Sequence, residues 1–138
     1  MKKNIGYSGT PLAKKLGLKQ GFTIKLVNEP GYYFDLFTDL PEDINIQSDP
    51  EMKKDFIHFF AKDIATLEKD LVSLKKEIKQ NGIIWVSWSK KSSKITTGLT
   101  GNDVRNMALK TGLVDIKVCA VDDTWSGLKL VIPVKDRK

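Results

Sequence analysis

The chain has 138 residues, 41% of them hydrophobic and 29% charged. That length and balance suit one domain with its own core, residues 1–138, and exclude a globally disordered chain. The net charge of +6 leaves nucleic acid or another anionic partner open. The single cysteine, Cys119, excludes an intramolecular disulfide.

The start Met1-Lys2-Lys3 is basic, but Lys14, Lys15 and Lys19 interrupt the apolar run of about 7–15 residues that a signal peptide requires. No stretch approaches the ~18 apolar residues of a membrane span. A cytoplasmic protein with no membrane partner is the expectation. The charge is uneven. Residues 1–30 carry six Lys against one Glu, whereas residues 31–60 carry two Lys against seven acids. Lys90, Lys91 and Lys94 stand without an acid in residues 81–100. This pattern favours a local anion site over general nucleic-acid affinity.

Residues 1–21 read as an N-terminal arm with a short helix. Thr10 is placed to cap it, with Pro11 at the first helical position, where a missing N–H costs nothing. Leu12 and Leu16 share its face, and Gly17 ends it. Phe22 to Val27 alternates apolar and polar residues, the period of a strand. Tyr33, Leu36, Phe37 and Leu40 follow i, i+3, i+4, i+7, which predicts a helix that Pro41 stops. Ile44 to Gln47 reads as a short strand, and Phe56 to Phe60 as a buried one. Only seven residues, 48–54, join these two strands. A parallel crossover normally takes a dozen or more, so the direction of the short strand stays open.

The periodicity of Ile64, Leu67, Leu71, Leu74 and Ile78 predicts a long helix from Asp63 to Gln80, closed by Asn81-Gly82 and packed on a sheet. Ile83 to Trp88 is another buried strand. Ser89 to Leu99 is a polar loop. Thr100 and Asp103 resemble a capping box ahead of a helix containing Val104, Met107 and Ala108, which Gly112 ends. Val114 to Val121 and Leu128 to Val134 read as the last two strands, joined through Asp122 to Gly127. Strands alternating with helices imply an α/β fold. It is a three-layer, Rossmann-like, mostly parallel sheet of about six strands, closed by an antiparallel hairpin.

In open parallel sheets, ligands bind outside the carboxyl ends of the strands. That rule selects Lys90, Lys91, Ser92 and Ser93 after the fourth strand and Asp122, Asp123 and Trp125 after the fifth. Tyr7 and Ser8 of the arm are candidates to cover the same mouth. Two ammonium groups and two hydroxyls suit a phosphate or carboxylate. The aspartates suit a polar turn, ribose hydroxyls, a metal or acid–base chemistry. Trp125 and Trp88 suit base stacking, whereas Trp85 or Trp88 suits core packing. An anionic small molecule or nucleotide is therefore the expected partner; no cofactor and no oligomeric state are set by these residues.

Other chemistries fit poorly. His58 lies within the apolar run Phe56 to Phe60, where a structural role is expected. With one histidine and one cysteine, the chain cannot build a structural zinc site of the usual N/S type. A Ser-His-Asp or Cys-His device would have to use His58. The phosphate-cradling G-x-x-x-x-G-K-[ST] loop is absent. Leu12 to Leu18 resembles the start of a helix-turn-helix, but a strand follows where the second helix belongs.

Three long strings carry a family resemblance: Gly6 to Leu12, Trp85 to Ser93, and Gly112 to Leu128. They resemble a bacterial family known as domain of unknown function 3052, which implies no activity. Residues 56–134 resemble, more distantly, the second half of class I S-adenosylmethionine-dependent methyltransferases. There a strand, a long helix, a strand, a helix and a terminal antiparallel hairpin follow one another. That resemblance implies a glycine-rich cofactor turn after the first strand and an acid for the ribose near the end of the second. This chain has Asn28-Glu29-Pro30-Gly31 at the first position and Asp49 near the second. A pair of elements after the second strand is missing. Two readings follow: a binding domain without catalysis of its own, or a reduced methyltransferase.

Overall fold

The computed structural model of the protein describes residues 11–90 and 98–138. Its elements are α1 (Leu12–Leu16), β1 (Thr23–Val27), a 3-10 turn (Tyr33–Leu36), β2 (Asn45–Ile46), β3 (Lys54–Phe60) and α2 (Leu67–Glu77). They continue with β4 (Ile78–Ser89), α3 (Gly101–Lys110), β5 (Val114–Ala120), β6 (Trp125–Val131) and a last 3-10 turn (Val134–Asp136). Six strands form one sheet in the order β2-β1-β3-β4-β6-β5. Strands β2, β1, β3 and β4 pair in parallel, and β6 runs antiparallel to both β4 and β5. This is the expected three-layer, mostly parallel α/β sheet with its closing hairpin.

Each face has its own core because successive strand residues project to opposite sides. Ile57, Phe59, Ile84, Val86 and Trp88 pack beneath α2 and α3. Phe56, Phe60, Trp85, Cys119 and Trp125 pack beneath α1 and the 3-10 turn. Trp85 and Trp88, three positions apart, therefore serve different layers, and the Trp85 indole N–H donates to the Leu16 carbonyl at 2.7 Å.

Several boundaries differ from the sequence reading. Pro11 stands at the cap of α1, while Thr10 lies outside the described residues. The free amides of that first turn bind the Asp39 carboxylate instead, Ala13 N at 3.0 Å and Lys14 N at 3.1 Å. Gly17 ends α1 as expected, in the left-handed region at φ 83°. The helix expected from Tyr33 to Leu40 shrinks to one 3-10 turn. Tyr33 plunges into the core, where its hydroxyl meets His58, and Phe37 leaves in an extended conformation.

Helix α2 is shorter than expected at both ends. Ile64 is exposed and lies outside it, and Ile78 already begins β4. Asn81-Gly82 is thus inside a strand rather than capping a helix. Between the pairs Lys54–Ile78 and Phe56–Ile83 the register slips, so β4 bulges. A methyl group at Gly82 would come within 2.5 Å of Ile78 Cγ1 and 3.1 Å of the Lys54 carbonyl. Glycine is there for space. In the hairpin, Trp125 to Gly127 belong to β6 rather than to the connection, because they pair with Ser89 to Ser87 of β4. The capping box of α3 forms as expected, Asp103 N donating to Thr100 Oγ1 at 3.2 Å and Thr100 N to Asp103 Oδ2 at 3.0 Å.

The open joint also has its answer. β2 is parallel to β1 and pairs only with its amino half, Asn45 with Thr23 and Ile46 with Ile24. Ile24 in turn pairs with Phe56. The chain therefore returns to β3 across about two strand spacings, roughly 10 Å, with almost no length to re-climb. Seven residues suffice.

Candidate functional site

The carboxyl ends of β1, β3, β4 and β5 lie along one rim of the sheet. Backbone and side-chain bonds stitch that rim together. Asn28 follows β1 in the left-handed region at φ 58°, a conformation asparagine tolerates, and its side-chain amide donates to the Phe60 carbonyl at 3.3 Å. Ala61 N donates to the Ser87 carbonyl at 2.9 Å. Lys90 N donates to the Thr124 carbonyl at 2.7 Å. Beyond β3, Asp63 folds back onto its own turn, accepting from Thr66 N at 2.9 Å.

Lys90 and the β5–β6 turn come together as the sequence suggested. The Lys90 ammonium donates to the Asp122 carbonyl at 2.6 Å, which holds it over the end of β4. The Asp122 carboxylate turns inward and accepts from Thr124 N and Trp125 N, each at 2.8 Å. Asp122 thus shapes the turn, and Asp123 beside it is exposed. Trp125 is buried on the Phe60 ring, edge to face at 5.0 Å, so its own ring face is not offered to a base. Lys91, Ser92 and Ser93, with Tyr7 and Ser8, lie outside the described residues.

Tyr32 is the rim residue that periodicity missed. Its hydroxyl accepts from the Trp125 indole N–H at 3.1 Å. Tyr32 follows β1 and Trp125 opens β6, so this bond spans the ends of β3 and β4. Burial, and next the charge of Asp122, hold the Tyr32 hydroxyl above the ordinary tyrosine range. Its signal in the sequence is a tyrosine pair after a proline-glycine turn, of which the helical spacing takes up only Tyr33.

Beneath the rim lies a closed polar chain. His58 is fully buried; its Nδ1 meets the Tyr33 hydroxyl at 3.0 Å and its Nε2 the Ser87 hydroxyl at 2.8 Å. The imidazole stacks on Phe60 with centroids 4.3 Å apart. Burial pushes its pKa down to about 3, so the ring stays neutral. His58, Tyr33 and Ser87 are all buried, so this set builds the core, as expected for His58.

Asp49, the acid nearest the end of β2, does not reach the rim. Its carbonyl accepts from Lys54 Nζ at 2.5 Å, and Lys54 is the first residue of β3. It therefore sits at the amino end of the sheet. Among the described residues, no helix is long and apolar enough to cross a membrane.

The family model for a protein of unknown function, DUF3052, matches residues 13–134. Among proteins with curated descriptions, none matches this sequence. The fold is similar to solved methyltransferases. A putative type 11 methyltransferase from Sulfolobus solfataricus superposes with a TM-score of 0.63 at 14% identity, over 92% of each chain. The ribosomal protein L11 methylase from Lactobacillus delbrueckii subsp. bulgaricus gives 0.58 at 12% identity, over 88% of this chain and 74% of its own. A Burkholderia thailandensis 1,6-didemethyltoxoflavin-N1-methyltransferase, solved with bound 1,6-didemethyltoxoflavin and S-adenosylhomocysteine, gives 0.57 at 9% identity, over 86% of this chain and 73% of its own. At these identities the likeness is one of fold.

Proposed function

The chain belongs to the DUF3052 family, and we propose that it is a non-catalytic binding domain built on a methyltransferase fold. Its ligand is an anionic metabolite or nucleotide at the carboxyl ends of the strands. Lys90, Lys91, Ser92 and Ser93 hold the anion; Asp123, Tyr7 and Ser8 surround it. The observation that carries this reading is the Tyr32–Trp125 bond. The segment after β1 is tied across the rim to β6, whereas the methyltransferase pattern needs a glycine turn there for close approach of the cofactor. Asp49, the candidate ribose acid, stands at the opposite end of the sheet. The Lys90 ammonium is already fixed by a carbonyl, so an anion binding there immobilises one flexible side chain fewer. Asp122 and Trp125 support the rim from within rather than touching the ligand.

Melting the protein with and without pyrophosphate tests the reading. A rise in Tm that is lost in Lys90→Ala supports it; an equal rise in that variant overturns the site.

The fold likeness favours a second reading, methyl transfer from S-adenosylmethionine. Saturation at about 100 times Kd would then add about 2.7 kcal/mol of stability. No shift at millimolar cofactor removes this reading.

A further inference from the structure

Lysines from separate segments form a row on the face of the sheet beneath α1. Lys117 of β5 and Lys129 of β6 are direct cross-strand partners. Directly opposed residues project to the same side with Cβ atoms about 4.5–5.5 Å apart, and like charges so placed oppose folding. The Lys117 ammonium donates to the Lys15 carbonyl at 3.1 Å, and the Lys15 ammonium to the Ala120 carbonyl at 3.2 Å. A methyl group at Gly17 would lie 3.6 Å from Lys129 Nζ, which places that ammonium over the end of α1. Burial first, then the charges of Lys117 and Lys19, hold the Lys129 ammonium below the ordinary lysine range. On Lys15, burial is again the largest cause, and Lys117 and Lys90 act in the same direction. The row therefore runs Lys19, Lys129, Lys117, Lys15, Lys90, from the amino-terminal arm to the rim.

Carbonyls at the end of α1 attract cations, which accounts for Lys117 but not for a second lysine opposite it. Among the described residues, Lys19, Lys117 and Lys129 form no ion pair. Three of the seven acids of residues 31–60 have other partners: Asp39 binds the first turn of α1, Asp43 binds Gly21 N at 2.8 Å, and Asp55 pairs with Lys79.

We propose that the row is a binding surface for single-stranded nucleic acid, contacted through its phosphates without sequence preference. Lysine is a compact charge on a flexible stem and suits phosphates at variable positions. A line of such charges matches a chain of phosphodiesters better than one small anion. At the rim end, Tyr32 is 40% exposed and offers a ring for stacking on an unpaired base. The proposal does not rest on the ligand assigned to the rim, and its test uses Lys117 and Lys129, which lie outside that site.

The experiment is fluorescence anisotropy of a labelled oligouridylate with the full chain across a salt series. Phosphate contacts from Lys19, Lys129, Lys117 and Lys15 on a single strand, four in all, give a log–log slope of about −2.8, an affinity loss of about 50-fold between about 50 and about 200 mM salt. The double variant Lys117→Thr/Lys129→Thr should halve the slope, to a loss of about sevenfold over the same range. If that variant does not fold, Lys19→Gln, on an exposed residue, should flatten the slope by about one quarter. No binding at about 50 mM salt, or an unchanged slope in the variants, overturns the proposal. Displacement of the oligonucleotide by polyglutamate at equal charge concentration would also overturn it, because the surface would then be a site for acidic protein.

Discussion

Lys54 and Glu77 form an ion pair at 2.8 Å in which the lysine side chain is entirely out of solvent. Lys25 reaches the same carboxylate at 2.9 Å. Together they lock the amino end of β3 to the joint between α2 and β4. Burial pushes the Glu77 carboxyl up, but hydrogen bonds from Lys54 and Lys25, with their charges, outweigh it and hold the group below the usual carboxylate range.

Removing Glu77 leaves Lys54 buried without a counter-charge. Glu77→Ala should cost about 3–5 kcal/mol in urea denaturation, and Lys54→Met/Glu77→Met much less. The pH dependence has a definite sign. The carboxylate's contribution is complete above its unfolded pKa of about 4.3 and is lost as pH falls through the lower native value. The stability gap between wild type and Glu77→Gln should therefore hold at neutral pH and narrow only below about pH 4.

His58 makes an opposite demand on acid. Its neutral ring is buried, with a native pKa of about 3, whereas the unfolded chain takes up a proton near pH 6.5. Stability is complete above that value and should fall by about 1.4 kcal/mol per pH unit below it, until the native ring also titrates. His58→Phe should be less stable at pH 7, because Tyr33 and Ser87 lose their partner, yet lack this slope between about pH 6 and 5.

Tyr32→Phe removes the acceptor of the Trp125 indole N–H. The loss should be about 1 kcal/mol, with a red-shifted tryptophan emission as the ring gains water. An unchanged spectrum would mean that Trp125 is held by Phe60 alone.

Lys129→Thr should raise stability. It relieves the like-charge pair with Lys117, whose own ammonium keeps its bond to the Lys15 carbonyl, and places a β-branched residue in a strand, by about 0.2–1 kcal/mol. A stabilising substitution that weakens oligonucleotide binding would show that the pair is kept for a partner and not for the fold.

Most of the fold was legible because its cues are local. The alternation from Phe22 to Val27, the runs Phe56 to Phe60 and Ile83 to Trp88, and the Thr100–Asp103 cap each act within a few residues. The misreadings came from tertiary contacts. Tyr33 leaves its helical pattern to reach His58, and Gly82 serves close packing against Ile78 rather than a helix end. The rim was legible in part: Lys90 and Asp122 meet because the sheet rule orders their loops. Tyr32 and Trp125 are 93 residues apart, and the lysine row draws on α1, β5 and β6, so no window of sequence contains either.

The proposed anion site lies at the rim beside Lys90. The most direct measurement is an NMR titration of isotope-labelled protein with pyrophosphate, following backbone amides and tryptophan indoles. The amides of Lys90 and of Asp122 to Trp125, and the Trp125 indole, should move together and saturably, while the Trp85 indole, bonded to Leu16, should not. Silence at the rim at millimolar pyrophosphate, or shifts confined to the amino end around Asp49 and Lys53, would contradict the account.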